Sequence, residues 1–482
     1  MKTFMKQMFF IALVSFLTTP FSYAQFNKAL NEFKSLKKEV QKTGNEVKQT
    51  TSSSAKTGSS STAANKEATN ENTNSGREWY INIAIGSGKE GTIEKPAKEI
   101  AAIALQLKPG DVIYIAEGIY KGKADMSSDI ITVPVSIIGG YNQDFTKRDP
   151  WGNHKTVLSG VNGYMKSETT SRLSLQCSKS HKDYSGQVLI DGLIIDNGSR
   201  NFYLEGSNEG YIKRKASPQQ GFNPTPDSPG IEVDMGSNAN VVIRNCALMN
   251  IAASQGVIDV QVGKNGKVLI ENNLIVNNTG DGINAKTSWQ SADGQPEYNI
   301  RNNTVLFCSK YDEAASNHGG NSLKVDERIV LIAENNVFAF NDYGGLDNIK
   351  KCKSITLNNN LFTANKKYDY REYNTPMAVA DMADYADFAT GEGNENKTIQ
   401  VPVSKEWSAI YMSRVVPERE EIDSQVTVQN SGANAWRSML GLPLQGTSVG
   451  ALSQVWLNRI QTTDALKAGM QTYHGKGCVK PE

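Results

Sequence analysis

Between Asn240 and Asn365 one hydrophobic–polar pattern returns five times: NVVIRNCALMN (240–250), KVLIENNLIVNN (267–278), EYNIRNNTVLFC (297–308), IVLIAENNVFAFN (329–341) and SITLNNNLFTAN (354–365). QVLIDGLIIDNG (187–198) is an earlier, weaker copy. Each copy is an apolar β-type run, one or two Asn, and a second apolar run. With the first Asn as ruler (245, 272, 302, 335, 359), the steps are 27, 30, 33 and 24 residues. A fixed core with variable spacing predicts one coil per repeat, the differences being loops.

Each coil is predicted to hold three short strands. The run before the Asn places Ile243, Ile270, Ile300, Ile332 and Leu357 in one inward stack. The run after it places Leu248, Ile275, Val305, Phe338 and Phe362 in another. A third strand follows Gly-containing turns: GIEVD (230–234), GVIDVQV (256–262), GDGINA (280–285), GNSLKV (320–325) and GGLDNI (344–349). Asn suits the corner because it tolerates left-handed backbone, and stacked Asn side chains can bond to one another and to backbone left unpaired by the bend. Arg244, Glu271 and Arg301 fall on the outward side of successive coils, a row that sets register and is a poor place for catalysis.

Before the repeats, residues 78–160 form an entry module. Tyr80-Ile81-Asn82 reads as a strand. GSGKEGTIEKPAKEI (86–100) reads as a turn leading into a helix with Pro96 in its first turn and Ile100, Ile103, Ala104 and Leu107 on its buried face. LKPGDVIYIAEGIYKG (107–122) and VPVSIIGGYN (133–142) add strands. GSGKEG lacks the terminal G-K-[ST] of a phosphate loop, so it is read as a structural turn. At these residues the chain resembles the N-terminal cap of the pectin-lyase-like right-handed parallel β-helix superfamily. The fold class expected is therefore all-β, a right-handed parallel β-helix solenoid with an N-terminal cap helix.

The flanks read differently. Residues 1–24 have the form of a secretory signal: Lys2 and Lys6, an apolar Met8–Leu17, and Ser22-Tyr23-Ala24 before the cut at Gln25. The apolar run is too short to span a bilayer. Residues 25–48 read as an amphipathic helix, with Phe26, Phe33, Val40 and Val47 seven apart, a seam through which copies would oligomerise. Residues 49–76 are a Ser/Thr/Ala/Asn-rich linker. The β-helix then runs through its cap and first coils (77–160), its repeats (161–367, with a loop insertion at 200–229) and a closing region (368–482), with a helix expected near Trp456–Met470.

Composition narrows the partners. A formal net charge of +1 gives no electrostatic case for nucleic acid or an anionic membrane. Export leaves periplasm and cell exterior both open. The five cysteines (177, 246, 308, 352, 478) show no metal-type spacing and are read as buried thiols.

The resemblance implies that any site lies along the third strand and its adjoining loops, where polysaccharide lyases and hydrolases of the superfamily act. That strand offers Glu232, Asp234, Asp259, Gln261, Asn284, Lys286, Lys324, Asp326, Asp347 and Asn348. Lys286 or Lys324 would serve a lyase as base or charge neutraliser. Asp259 with Asp326 or Glu232 would serve a hydrolase. Asp234 and Asp259 are oxygen donors suited to Ca2+, no other cofactor being indicated. His318 sits in the longest coil loop. The compact motifs of the best-known pectate lyases and polygalacturonases are absent from the sequence, and exposed solenoid strands are commonly charged for solubility alone. Three functions follow: a non-catalytic exported protein binding polysaccharide or a cell-surface glycan, a polysaccharide lyase or glycoside hydrolase, or a structural envelope component.

Overall fold

The computed structural model describes residues 76–122, 128–160, 171–197, 229–288, 294–309, 319–348, 350, 352–385, 389–412, 432–444 and 459–482. The signal, the 25–48 helix, nearly all of the linker and of the 200–229 insertion, and His318 lie outside them.

The chain winds as a parallel β-helix. A first sheet of nine parallel strands is built from one strand per coil: Glu78–Ile81, Val112–Ala116, Ser136–Tyr141, Gln187–Asp191, Asn240–Arg244, Lys267–Glu271, Glu297–Arg301, Val330–Glu334 and Ser354–Asn358. Two further faces belong to one sixteen-stranded network. The second face follows the Asn corner, with Ala247–Met249, Thr304–Ser309, Val337–Ala339 and Leu361–Thr363 among its strands. The third face carries Leu173–Gln176, Ile231–Asp234, Ala252–Val262, Asn321–Val325, Gly344–Asn348 and Tyr368–Glu372. The long strand Leu274–Thr287 bends through both and joins them.

The corners explain the repeat. Asn245, Asn272, Asn302, Asn335 and Asn359 all have φ between 53° and 56°, the left-handed turn that Asn accepts at little cost. The following Asn residues point into the coil and form a buried ladder. Asn273 Nδ2 donates to Asn303 Oδ1, Asn303 to Asn336, Asn336 to Asn360, and Asn360 to Asn394, at 2.9–3.0 Å. Each also donates to a carbonyl of the preceding coil, as Asn303 Nδ2 does to Ile270. The ladder satisfies backbone groups that the bend removes from the sheets.

The first inward stack differs from expectation at one rung. Ile300 pairs with Ala333, not Ile332; Ala333 is fully buried and Ile332 points outward. The inward residue always lies two before the left-handed Asn, and in this coil that position is Ala. The second stack, Leu248 to Phe362, is in register as read and wholly buried. In the outward row Arg301 meets Glu271 at 2.7 Å, while Arg244 turns to Asp191 at 2.8 Å.

The cap is not a continuous helix. Two 3-10 turns, Ile100–Ala102 and Ala104–Gln106, replace it, burying Ile100, Ile103 and Leu107 while Ala104 stays half-buried. A tighter turn places residues three apart on one side, which is all the short segment needs to cover the first coil.

After the last repeat, the antiparallel strand Thr375–Met377 and the 3-10 helix Val379–Tyr385 cover the end of the coil stack, with Thr390 and Glu395 pairing to Thr356 and Leu361. The chain then returns along the second face. Ile399, Trp407, Tyr411, Trp436, Leu440, Ile460, Leu466 and Tyr473 pack on outward residues of that face, including Met249, Leu274, Val276, Leu306, Val337 and Leu361. A helix spans Thr462–Gly469. Among the described residues no helix is long and apolar enough to cross a membrane. All five cysteines are free; burial pushes the thiols of Cys177, Cys246, Cys352 and Cys478 to about 12.

Candidate functional site

The third face is where the repeats present chemistry. Alternation along its strands turns Ile231, Val233, Ile258, Val260, Ile283, Leu323 and Leu346 inward, all fully buried. The intervening residues stand outward in register. One row runs Ser174, Glu232, Asp259, Asn284, Lys324, Asp347, Arg371. A second runs Gln176, Asp234, Gln261, Lys286. Asn348 falls on the inward parity and is buried beside Glu372 and Tyr370.

Most of the predicted residues have a partner in this array. Lys286 Nζ reaches Asp259 Oδ2 at 2.7 Å and Gln255 Oε1 at 2.6 Å. Lys324 Nζ lies 3.9 Å from Asp281 Oδ2. Asp326 is paired with Lys350. Glu232 Oε2 accepts from Ser171 at 2.7 Å and Ser174 at 2.9 Å. Asp234 accepts from Ser178 and Gln261. Arg371 grips Asp347 with two bonds, Nε–Oδ1 at 3.0 Å and Nη2–Oδ2 at 2.7 Å, and lies beside the rings of Tyr343 and Tyr368.

The electrostatics single out Asp259. Burial raises its carboxyl to about 6, assisted by Glu232 and Asp281, against the pull of Lys286. Its Oδ1 is buried without a hydrogen-bond partner among the described residues. Burial also raises Asp281, with Lys324 opposing. Glu232 and Asp259 are register partners on adjacent coils, whereas Asp326 is held by Lys350 beyond them.

The Ca2+ expectation meets a different arrangement. Asp234 is held by Ser178 and Gln261, and Asp259 by Lys286. Among the described residues no group of three or more His, Cys, Asp or Glu is placed to hold a metal ion.

The face opens at one end into a cavity of about 440 Å³, lined by Gln176, Ser178, Lys179, His181, Glu232 and Asp234 with Thr132, Val133 and Ser180. Gln176, Ser178, Lys179 and His181 are among the lining residues that escaped the sequence reading. They belong to Leu173–Gln176 and the turn after it, in a coil that precedes the Asn pattern. The alternating LSLQ just ahead of QVLID was the available signal. Arg371 escaped for the mirror reason: its strand follows the last repeat.

Fold and site together define a parallel β-helix with an in-register polar face. No family model matches the sequence, and no curated protein matches it. The solved structures it resembles include a rhamnogalacturonan lyase, at 11% identity over 70% of this chain and 92% of that one, with a TM-score of 0.33. They also include pectate lyase Pel9A, at 14% identity over 69% and 84%, with a TM-score of 0.27.

Proposed function

We propose that this is an exported β-helix protein that binds a polysaccharide or cell-surface glycan along its third face, without cleaving it. The supporting observation is the continuous register of polar groups from Ser174 to Arg371. Six strand steps of about 4.8 Å make a track of about 29 Å, long enough for an extended chain. Carboxylates and amides are groups that hold sugar hydroxyls in fixed geometry. The bases a lyase would use are committed elsewhere: Lys286 is neutralised by Asp259 and Lys324 faces Asp281.

The second reading is a glycoside hydrolase. It rests on Asp259, whose carboxyl near 6 and unpartnered oxygen suit a general acid, with Glu232 beside it. Titration calorimetry against uronate-containing and neutral polysaccharides, with new reducing ends and unsaturated uronate products followed in the same samples, separates the two. Binding without either product supports the first reading; products that vanish in Asp259→Asn support the second. The export half is tested by sequencing the mature N-terminus, expected at Gln25.

A further inference from the structure

A cluster of aromatic rings lies on the other side of the coil, outside the cores and outside the third face. In the first sheet Trp79, Ile81, Ile113 and Ile115 point inward and are buried. Tyr80 and Tyr114 alternate with them, are register partners, and stack with ring centres 5.3 Å apart at 27°. Tyr141 meets Tyr114 edge-on at 5.6 Å. Phe145 closes the ring of four, 5.0 Å from Tyr80 and 6.2 Å from Tyr141. All four side chains are half-exposed, and none belongs to either buried core.

Phe145 is the informative member. Cross-strand pairing accounts for Tyr80 beside Tyr114. It does not account for Phe145, which is on a turn and has φ 61°. A bulky side chain in left-handed backbone is disfavoured and is retained where the surroundings impose it. Here the turn does so: Phe145 N–H donates to the Asn142 carbonyl, Asn142 Oδ1 accepts from Lys147 N–H, and Asp144 accepts from Thr146. The outcome is a phenyl ring brought back over the strands into a surface cluster rather than into a core.

The rim of the cluster is polar. Glu78 accepts from the Tyr80 hydroxyl at 2.7 Å and the Tyr114 hydroxyl at 3.4 Å. Burial and Glu78 push both phenols up to about 12, so both remain neutral donors. Arg148 lies 6.0 Å from the Tyr141 ring and is paired with Asp191. Aromatic faces beside a carboxylate and phenolic hydroxyls match one ligand chemistry well: a pyranose ring, with C–H bonds on its face and hydroxyls at its edge.

We infer that Tyr80, Tyr114, Tyr141 and Phe145 form a second glycan-binding site, a stacking platform for neutral sugar residues. The Glu78 carboxylate at its edge disfavours uronates and accepts sugar hydroxyls. This site is separate from the third face and does not depend on the reading given to that face.

The test is titration of the full chain with neutral oligosaccharides and with oligouronates, followed by saturation-transfer NMR and calorimetry. Phe145→Gly is the key variant, because glycine accepts the left-handed backbone and only the ring is lost. Tyr114→Ala is the second variant, and Lys467→Ala, an exposed position on the Thr462–Gly469 helix, the control. Wild type should bind neutral oligosaccharides, Phe145→Gly and Tyr114→Ala should weaken that binding about tenfold, and Lys467→Ala should leave it unchanged. The platform is overturned if wild type binds no neutral oligosaccharide, or if Phe145→Gly binds as wild type does.

Discussion

At the residue scale, the two Asn of each corner have different tasks, and substitution should separate them. Asn302 is present for its backbone, at φ 55°. Asn302→Gly should stay within about 1 kcal/mol of wild type, whereas Asn302→Ala should cost about 1–2 kcal/mol. Asn303 is present for its side chain, which accepts from Asn273 N–H and donates to the Ile270 carbonyl. Asn303→Ala leaves both groups buried and unpaired and should cost about 3 kcal/mol. Urea unfolding of the three variants checks the order; equal losses at the two positions would contradict it. Asp259 offers a pH test. Its folded carboxyl sits near 6, above the ordinary 3.8, so the folded state holds the proton more tightly than the unfolded chain. The ionised form therefore opposes folding, and the contribution of Asp259 to stability falls as pH rises from 3.8 to about 6. The groups setting this are burial, Glu232, Asp281 and the opposing Lys286. The melting temperature of wild type relative to Asp259→Asn should fall across that window; a relative rise would refute the assignment.

At the scale of elements, the strands were legible because alternation and the Asn ruler fix parity; Ile231–Asp234, Asn321–Val325 and Gly344–Asn348 begin at the Gly-containing turns that placed them, whereas Ala252–Val262 and Leu274–Thr287 start earlier than their turns. The Ile332 slip shows the limit: hydrophobicity picked the wrong neighbour, and only the two-residue spacing to a left-handed Asn picks Ala333. The C-terminal segment was less legible, because its apolar residues pack against outward positions of a sheet far earlier in the chain, from 71 residues for Tyr411 and Phe340 to 210 for Ile460 and Asn250. The second face carries the signature of this packing. Its corner has Asn250 and Asn277 at φ 58° and 57° in two coils, then Phe307 and Phe340 at 58° and 56° in the next two. Those two phenylalanines stack on each other at 5.1 Å and meet Trp407, Tyr411 and Trp436. Removing the cover should therefore cost more than one lost contact. Trp407→Ala should destabilise by about 3–5 kcal/mol and increase binding of a hydrophobic dye to the folded protein. Unchanged stability and dye binding would mean that the segment does not hold this face.

At the scale of the whole molecule, the chain turns a repeating corner into three surfaces with different fates. One carries the aromatic cluster, one is covered by the chain's own C-terminal segment, and one bears the polar register from Ser174 to Arg371, in which Ser174, Asp259, Asn284 and Asp347 are buried. The candidate site was legible where the repeats run, and Glu232, Asp259, Lys286 and Lys324 were all picked from the strand that bears them. What the sequence concealed was their pairing, since Lys286 reaches back one coil to Asp259 and Lys324 turns toward Asp281. Pairing across coils depends on loop lengths that vary from repeat to repeat, and it changes candidate bases into neutralised groups. The cavity residues His181 and Lys179 were concealed because their coil lacks the Asn ruler. The most direct measurement is calorimetric titration of the full chain with uronate-containing polysaccharide, with products followed in parallel. Wild type should bind and release no unsaturated or reducing-end product, and the double variant Glu232→Gln/Asp259→Asn should bind about tenfold more weakly. Absence of binding to any polysaccharide, or product formation by wild type that the double variant abolishes, would contradict a non-catalytic glycan-binding face.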